Sequence, residues 1–214
     1  MNRVEQLYRD RPVAADFARG YLDYVGEVLA GLDVGAIASF VDVLLAARDR
    51  QARIFFIGNG GSASTASHFV NDIAVGCRHS KPPFRAVCLT DNSAVLTALA
   101  NDFGYEDVFA HQLQTQMAPG DVVVAISASG CSPNVIAAFD YANENGAITV
   151  ALTGFDGGPL ADLAQLVVHA PTNKGEYGPA EDAHLVVNHL VAAFIAQVCA
   201  PSATATGVDG LAER

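Results

Sequence analysis

The stretch FFIGNGGSASTASHFVND, residues 55–72, decides the fold class, because a run of strand formers stops at a turn rich in glycine and serine. Helical spacing then resumes and carries His68 and, four residues later, Asp72, so both side chains share one helix face. The glycines let the backbone approach an anion, and a helix start offers free N–H groups, so the turn predicts an anion-binding site. A tight turn with Ser62 as N-cap is the alternative, and the turn alone does not decide between the two.

Strand-like runs recur along the rest of the chain and alternate with helical segments. They are RIFFI (53–57), FRAVCL (84–89), DVVVAI (121–126), AITVAL (147–152) and QLVVH (165–169). Four of the five are apolar without a break, or nearly so, as expected of parallel strands that helices cover on both faces. The alternation implies βαβ units with right-handed crossovers. The sequence therefore predicts an α/β fold, a three-layer doubly wound sheet of about five parallel strands preceded by N-terminal helices.

The pattern divides the chain into three parts. Residues 1–50 show helical spacing with a Gly-Leu-Asp break at 31–33, which predicts two helices that pack on the domain and at an oligomer interface. Residues 51–200 hold the alternating strands and helices, and the last helix is predicted from about Pro179 to Val198. The small and polar residues 201–214 predict a flexible tail.

Composition and charge limit the classes of function. The 214 residues are 51% hydrophobic and carry a formal net charge of −11, so the chain is globular but lacks the basic face of a general nucleic-acid binder. No apolar run reaches the roughly 18 residues of a membrane span, and the charged N-terminus is unlike a signal peptide. The cysteines, Cys77, Cys88, Cys131 and Cys199, show no disulfide framework. We therefore expect a cytoplasmic protein without a membrane or nucleic-acid partner.

Hydroxyl side chains follow the third strand, at the edge of the sheet where doubly wound folds bind ligands. Ser127, Ser129 and Ser132 lie within six residues, with Gly130 between them. Ser132 followed by proline is explained by a capped helix start. The hydroxyls of Ser127 and Ser129 end a buried strand, however, and need hydrogen-bond partners. Neutral hydroxyls and backbone amides suit a phosphate monoester, so the two turns together predict phosphate binding.

The last predicted helix carries acidic and histidine side chains, which are Glu181, Asp182, His184 and His189. Taken singly, each is more often solvated or structurally bonded than a ligand. Glu181 and His189 could bind one metal only near a helix start or between subunits. Spacing alone therefore lends weak support to a metal site.

The chain also resembles a known family. The segments GNGGSA with the downstream HFxxD, ANDFGYEDVF, ISASGCS, LTGFDGG and EDAHLVVNH follow in order between about residue 5 and residue 198. They are similar to the sugar isomerase (SIS) domain family and, within it, to the phosphoheptose isomerases. Those enzymes interconvert sedoheptulose 7-phosphate and an aldose heptose 7-phosphate. The resemblance implies an aldose–ketose isomerase that acts through an enediol, binds a small phosphorylated sugar and forms a homotetramer with sites between subunits.

The resemblance further implies roles for single residues. The matching substrate-binding positions are Asn59, Gly60, Gly61, Ser62, Asn101, Asp102, Ser127, Ala128, Ser129, Ser132 and Glu181. The family's divalent metal, typically zinc, would be held by His68, Asp72, Glu181 and His189. Asp72 occupies the position of the catalytic base, and His189 that of its acid/base partner.

The chain departs from the family pattern at several of these positions. Asp72 replaces a glutamate, Glu181 replaces a glutamine, and Ala128 replaces the middle residue of a Ser-Thr-Ser motif. Gly76 takes a position where some members carry arginine. The added carboxylate predicts a stronger preference for a metal, because neighbouring carboxylates disfavour joint ionisation unless a cation compensates them.

Three alternatives to a heptose phosphate isomerase stay open. One is a non-catalytic SIS oligomer acting as an interaction scaffold, like the replication-initiation factor that resembles this family. Another is a phosphosugar sensor that controls transcription, although residues 1–50 offer no basic recognition helix. The third is an isomerase of another sugar phosphate.

Overall fold

In the part of the chain that the structure describes, five parallel strands form one sheet in the order β2-β1-β3-β4-β5. The computed structural model describes residues 1–200. The strands are β1 (Arg53–Gly58), β2 (Arg85–Cys88), β3 (Val122–Ser127), β4 (Ile148–Thr153) and β5 (Leu166–His169). Each agrees with a predicted run to within a residue at either end, and the predicted doubly wound α/β fold is confirmed. This order places the switch point, the expected ligand site, between β1 and β3.

Helices cover both faces of the sheet. They are α1 (Arg3–Asp10), α2 (Ala14–Ala30), α3 (Val34–Asp49), α4 (Gly60–Asn71), α5 (Ser93–Phe103), α6 (Val108–Gln116), α7 (Pro133–Glu144), α8 (Gly158–Leu163) and α9 (Tyr177–Val198). A short π-helical turn, Asp72–Gly76, continues α4, and a 3-10 turn, Tyr105–Asp107, precedes α6. Helices α3, α4 and α9 pack on one face of the sheet, and α5 to α8 pack on the other.

Alternate residues of the strands face opposite layers, which accounts for their continuous apolar sequence. In β1, Ile54 and Phe56 lie in the core with α3, α4 and α9, whereas Phe55 and Ile57 lie in the core with α5 to α8. The ring of Phe56 stacks on that of Phe69 in α4, with centroids 5.0 Å apart. This contact holds α4 against the sheet and thereby places the turn that joins β1 to α4.

The N-terminal region forms three helices, and the prediction of two was wrong. The first predicted helix is broken between α1 and α2 around Pro12, which lacks the backbone N–H that a continuous helix needs. The division of the chain at residue 50 stays a prediction. The predicted flexible tail, residues 201–214, lies outside the described residues.

Helix length and composition bear on the expectation of no membrane partner. Among the described helices, none is by itself long and apolar enough to cross a membrane, and only the pair α2 and α3, bent by 68° relative to each other, passes that test together.

A buried carboxylate ties the N-terminal helices to the segment that leads into α9. Glu176 is 1% exposed. It accepts hydrogen bonds from the backbone N–H of Arg3, from the backbone N–H of Asn173 at 2.8 Å and from the hydroxyl of Tyr24. Burial raises the pKa of Glu176, but these donors outweigh it, so that the pKa lies below its ordinary value. The ionised carboxylate therefore stabilises the fold.

We expect Glu176→Gln to lower the free energy of unfolding by about 2–3 kcal/mol at pH 7, because buried donors lose a charged acceptor. A carboxyl group whose pKa is lowered by folding contributes stability above its unfolded-state pKa, and this contribution is lost as the pH falls through the folded-state pKa. The difference in unfolding free energy between variant and wild type should therefore shrink as the pH falls below 4.5, the ordinary pKa of a glutamate. Urea unfolding at several pH values measures it, with the exposed Glu144→Gln as control. A stability difference that does not change with pH would contradict the stabilising role of the ionised Glu176.

Candidate active site

The turns after β1 and β3 meet at the switch point and enclose a cavity of about 100 Å³. Its lining consists of Asn59, Ser62, Ile126, Ser127, Ala128, Ser129, Ser132, Tyr177 and Glu181. All of these except Ile126 and Tyr177 were predicted to bind substrate. The structure thus brings the first turn and the serine loop (residues 127–132) together, while their contact with a substrate stays a prediction.

The conformation of the serine loop depends on Gly130. Its φ of +61° is left-handed, and a Cβ at this position would overlap the carbonyl oxygen of Gly157. The hydroxyl oxygen of Ser127 accepts from the backbone N–H of Gly130 at 3.2 Å, and that of Ser129 accepts from the N–H of Cys131 at 3.3 Å. Both hydroxyls therefore have local partners, yet each can still donate its hydrogen to an anion in the cavity.

Gly130→Ala should destabilise the protein by at least about 2 kcal/mol, because the side chain meets backbone atoms and the left-handed φ is strained for alanine. Binding of a phosphosugar should weaken as well, since the loop cannot keep its shape. The control is Gly26→Ala, an exposed position within α2 where no described residue outside the neighbouring turns of its own helix lies within 4 Å of the added Cβ. That change should stabilise the protein by up to about 1 kcal/mol. Urea unfolding measures the change in stability of both variants, and equal changes would refute the role assigned to Gly130.

The alternative in which Ser62 caps α4 is wrong. Asn59 is the N-cap residue of this helix, so Ser62 lies buried in the first turn and is not the N-cap. The side chain of Asn59 pairs with Asn134, each amide nitrogen donating to the other amide oxygen at 2.9 and 3.0 Å. The hydroxyl of Tyr105 also donates to Oδ1 of Asn59 at 2.8 Å. The Asn59 oxygen is therefore used within the protein, and the backbone N–H groups around Gly60 are better placed to bind an anion.

Three of the predicted metal ligands converge at the other end of α4. The Nε2 atoms of His68 and His189 lie 3.2 Å apart, and Nε2 of His68 lies 3.4 Å from Oδ2 of Asp72. Two donors on one tetrahedral zinc ion, each about 2.0–2.1 Å from it, are about 3.3 Å apart. These spacings and the donor set of two nitrogens and one oxygen fit a shared divalent ion such as zinc.

Glu181 lies apart from this cluster of His68, Asp72 and His189. It precedes His189 by eight residues on α9, a rise of about 12 Å. Its carboxylate reaches Gly61 instead, where any Cβ would overlap it. Burial and the neighbouring Asp182 raise the pKa of Glu181. One chain therefore brings three of the four predicted ligands together, and a fourth-ligand role for Glu181 stays a prediction that requires another subunit.

Asn101 and Asp102 lie outside the cavity. Both are exposed near the end of α5, where Nδ2 of Asn101 donates to Oδ1 of Asp102 at 2.8 Å. Gly104, with a φ of +99°, then turns the chain so that Tyr105 reaches the side chain of Asn59. Within one chain this segment thus contacts the site through Tyr105, and the substrate roles of Asn101 and Asp102 stay predictions.

Four polar residues around the site were missed by sequence reasoning. They are Tyr105, Asn134, Tyr177 and Asn188. Tyr177 could have been found, because the loop that leads to it leaves β5 at the same edge of the sheet where the serine loop leaves β3. The others act through contacts between elements that are distant in sequence, and no local pattern reports such contacts.

Several known proteins are similar to this chain in sequence and in fold. The SIS domain model matches residues 20–154. A phosphoheptose isomerase of Geobacter metallireducens is 39% identical over 155 residues, which cover 72% of this chain and 81% of that protein. The solved phosphoheptose isomerase of Neisseria gonorrhoeae is similar with a TM-score of 0.76 at 30% identity, covering 88% of this chain and 98% of that one. The structure from Francisella tularensis has a TM-score of 0.78 at 24% identity, covering 86% and 99%.

Proposed function

The chain belongs to the SIS domain family, and we propose that it is a heptose phosphate isomerase, which interconverts the ketose and aldose forms of a heptose 7-phosphate. The similarity to phosphoheptose isomerases over most of both chains supports this substrate class. The observation that carries the proposal is the arrangement along α4. This helix begins at the hydroxyl-lined cavity and ends at a cluster of two imidazoles and a carboxylate.

Aldose–ketose isomerisation needs a base that removes a proton from the carbon beside the carbonyl and returns it to the neighbouring carbon. We assign this role to Asp72. Its Oδ2 faces His68 in the metal-ligand cluster, so Oδ1 is the oxygen assigned to the proton transfer. Oδ1 accepts a hydrogen bond from the side-chain amide of Asn71 at 3.3 Å. His189 would move protons between the two substrate oxygens. The serine loop would anchor the phosphate, and this remote binding energy would hold the reacting carbons in place.

A divalent metal, typically zinc in this family, fits the cluster of His68, Asp72 and His189. It would polarise the substrate carbonyl and stabilise the negative charge that develops on its oxygen. Glu181 of a neighbouring subunit is the proposed fourth ligand.

The decisive experiment is NMR-monitored incubation with sedoheptulose 7-phosphate, and with shorter ketose phosphates, in deuterated water. Deuterium should enter the second carbon of the aldose, because an enediol exchanges its proton with the base. Exchange with a shorter sugar alone would favour an isomerase of another sugar phosphate. Exchange with none of them would leave the non-catalytic scaffold as the better account.

We also propose that the protein is a homotetramer, and an exposed apolar groove between α3 and α9 supports assembly. The groove has a volume of about 250 Å³ and is lined by Val34, Ile37, Ala38, Val41, Asp42, Leu190 and Phe194. Phe194 is 54% exposed and Leu190 is 47% exposed. Leu190 directly follows His189, so a second copy bound in this groove would lie beside the metal-ligand cluster.

Phe194→Glu should therefore dissociate the oligomer, because a charge in an apolar interface loses its hydration without a partner. Light scattering coupled to size-exclusion chromatography measures the mass, which should fall to that of a smaller species. The matched control is Val95→Glu on α5, where an exposed apolar side chain on the other layer is replaced. An unchanged mass for Phe194→Glu would exclude this groove as the interface.

A further inference from the structure

The buried side-chain amide of Asn188 on α9 contacts Asp72, a member of the metal-ligand cluster, from the interior of the protein. Asn188 is 0% exposed and lies between Val187 and His189, on the helix face that packs against the sheet and α4. Its neighbours in this interface, such as Val187 and Val191, are apolar and buried. A polar side chain at such a position is unfavourable for stability unless its hydrogen-bonding groups are satisfied.

Among the described residues, only one of the two hydrogen-bonding groups of the Asn188 side chain has a partner. Its Nδ2 donates to Oδ2 of Asp72 at 3.1 Å, whereas its Oδ1 is buried without a partner among the described residues. Rotating the amide by half a turn would place two oxygens against each other and is excluded by charge repulsion. The bond to the carboxylate is charge-assisted and therefore stronger than a bond between neutral groups. The orientation of Asn188 is thus dictated by Asp72 and leaves the other end of the amide unsatisfied.

The backbone at Asp72 is unusual as well. The α-helical hydrogen-bonding pattern of α4 ends at Asn71, and the π-helical turn Asp72–Gly76 begins at the aspartate itself. Such turns occur often at functional sites, where they re-aim a side chain. An aspartate has a single methylene between its backbone and its carboxylate, so its reach depends on the backbone and on the partner that holds it.

We propose that Asn188 is the positioning residue of the site, which holds the short carboxylate of Asp72 in line with His68 and His189. The amide nitrogen Nδ2 of Asn188 lies 3.1 Å from Oδ2 of Asp72, and Nε2 of His68 lies 3.4 Å from the same oxygen. The amide therefore fixes the rotation of the carboxylate relative to the two imidazoles. Loss of a partner that orients a metal-binding side chain typically lowers metal affinity by about 10–100-fold.

The test compares Zn²⁺ affinity in the full-length protein and in Asn188→Leu, which fills the same space without a donor, measured by competition with a chromogenic chelator. We expect a 10–100-fold loss of affinity with an unchanged or higher melting temperature, because the unsatisfied oxygen is also removed. Asn188→Ala serves as a second variant should the leucine disturb packing. In an Asp72→Ala background the leucine substitution should have no further effect, since its partner is absent. Gln197→Leu, an exposed amide on α9, is the matched control and should leave affinity unchanged.

The inference rests on the proposed metal site, but its test is separable from the proposed isomerase activity. If the wild-type protein binds Zn²⁺ and Asn188→Leu weakens binding while no sugar phosphate reacts, the positioning role stands and the isomerase fails. If both proteins turn over and bind Zn²⁺ equally, within twofold, the positioning role is refuted and the isomerase stands. A folded wild-type protein that binds no Zn²⁺ refutes the positioning role, whatever its activity.

Discussion

Replacement of Asp72 by asparagine should lower kcat by at least about 10³-fold, because an amide cannot accept the proton that isomerisation removes from carbon. The variant also loses the one carboxylate in the cluster with His68 and His189. Phosphosugar binding should survive, since the serine loop lies at the other end of α4, about three helical turns from Asp72. Deuterium exchange at the sugar carbon measures the chemical step, and calorimetry measures the binding, which should stay within about threefold.

Two further variants make this result specific. Asp72→Glu provides the longer carboxylate that the family resemblance implies at this position and should keep far more activity than the asparagine variant. Asp140→Asn removes an exposed carboxylate on α7 and should behave like the wild type. An asparagine variant with more than about a tenth of wild-type turnover would show that another group is the base.

His68→Ala should lower the affinity for Zn²⁺ by at least about 100-fold, because two donors remain where three converged. The protein should stay folded, since the side chain of His68 is 43% exposed and contributes little to the core. Metal analysis after purification without chelator should find stoichiometric divalent metal in the wild type and little in the variant. Turnover should fall with the metal content.

The matched control is His111→Ala, which removes an imidazole on α6, in the opposite layer of the fold. This change should leave both the metal content and the affinity unchanged. An affinity of His68→Ala for Zn²⁺ equal to that of the wild type would contradict the assignment of the cluster as a metal site. A metal content that falls equally in His68→Ala and His111→Ala would contradict it as well.

The two parts of the site are related by the packing of α4 on α9. Gly61 contacts Glu181 near the start of both helices, and His68 contacts His189 about two turns later. The helices therefore run side by side in the same direction, with spacings of seven and eight residues between the paired positions. This register explains why Glu181 belongs to the cavity within one chain although its helix also supplies a metal ligand.

Much of the fold was predictable because it follows from local patterns. The buried strands were predicted to within a residue because parallel strands covered on both faces are continuously apolar. The break around Pro12 was missed because apolar residues keep helical spacing on both sides of it. The alternative in which Ser62 caps α4 could not be excluded from residue type alone, and the structure shows that the helix begins at Gly60.

By itself the sequence determined the strands, the glycine and serine turns at their ends, and the shared face of His68 and Asp72, because spacing along the chain sets which side chains point the same way. Only the tertiary structure decided that His189 joins that face while Glu181 does not, and that Asn188 and Asn134 hold site residues in place. These partners lie 75 to 121 residues apart in the chain. Their contact depends on how two complete helices or turns pack against one sheet, and no local pattern encodes that packing.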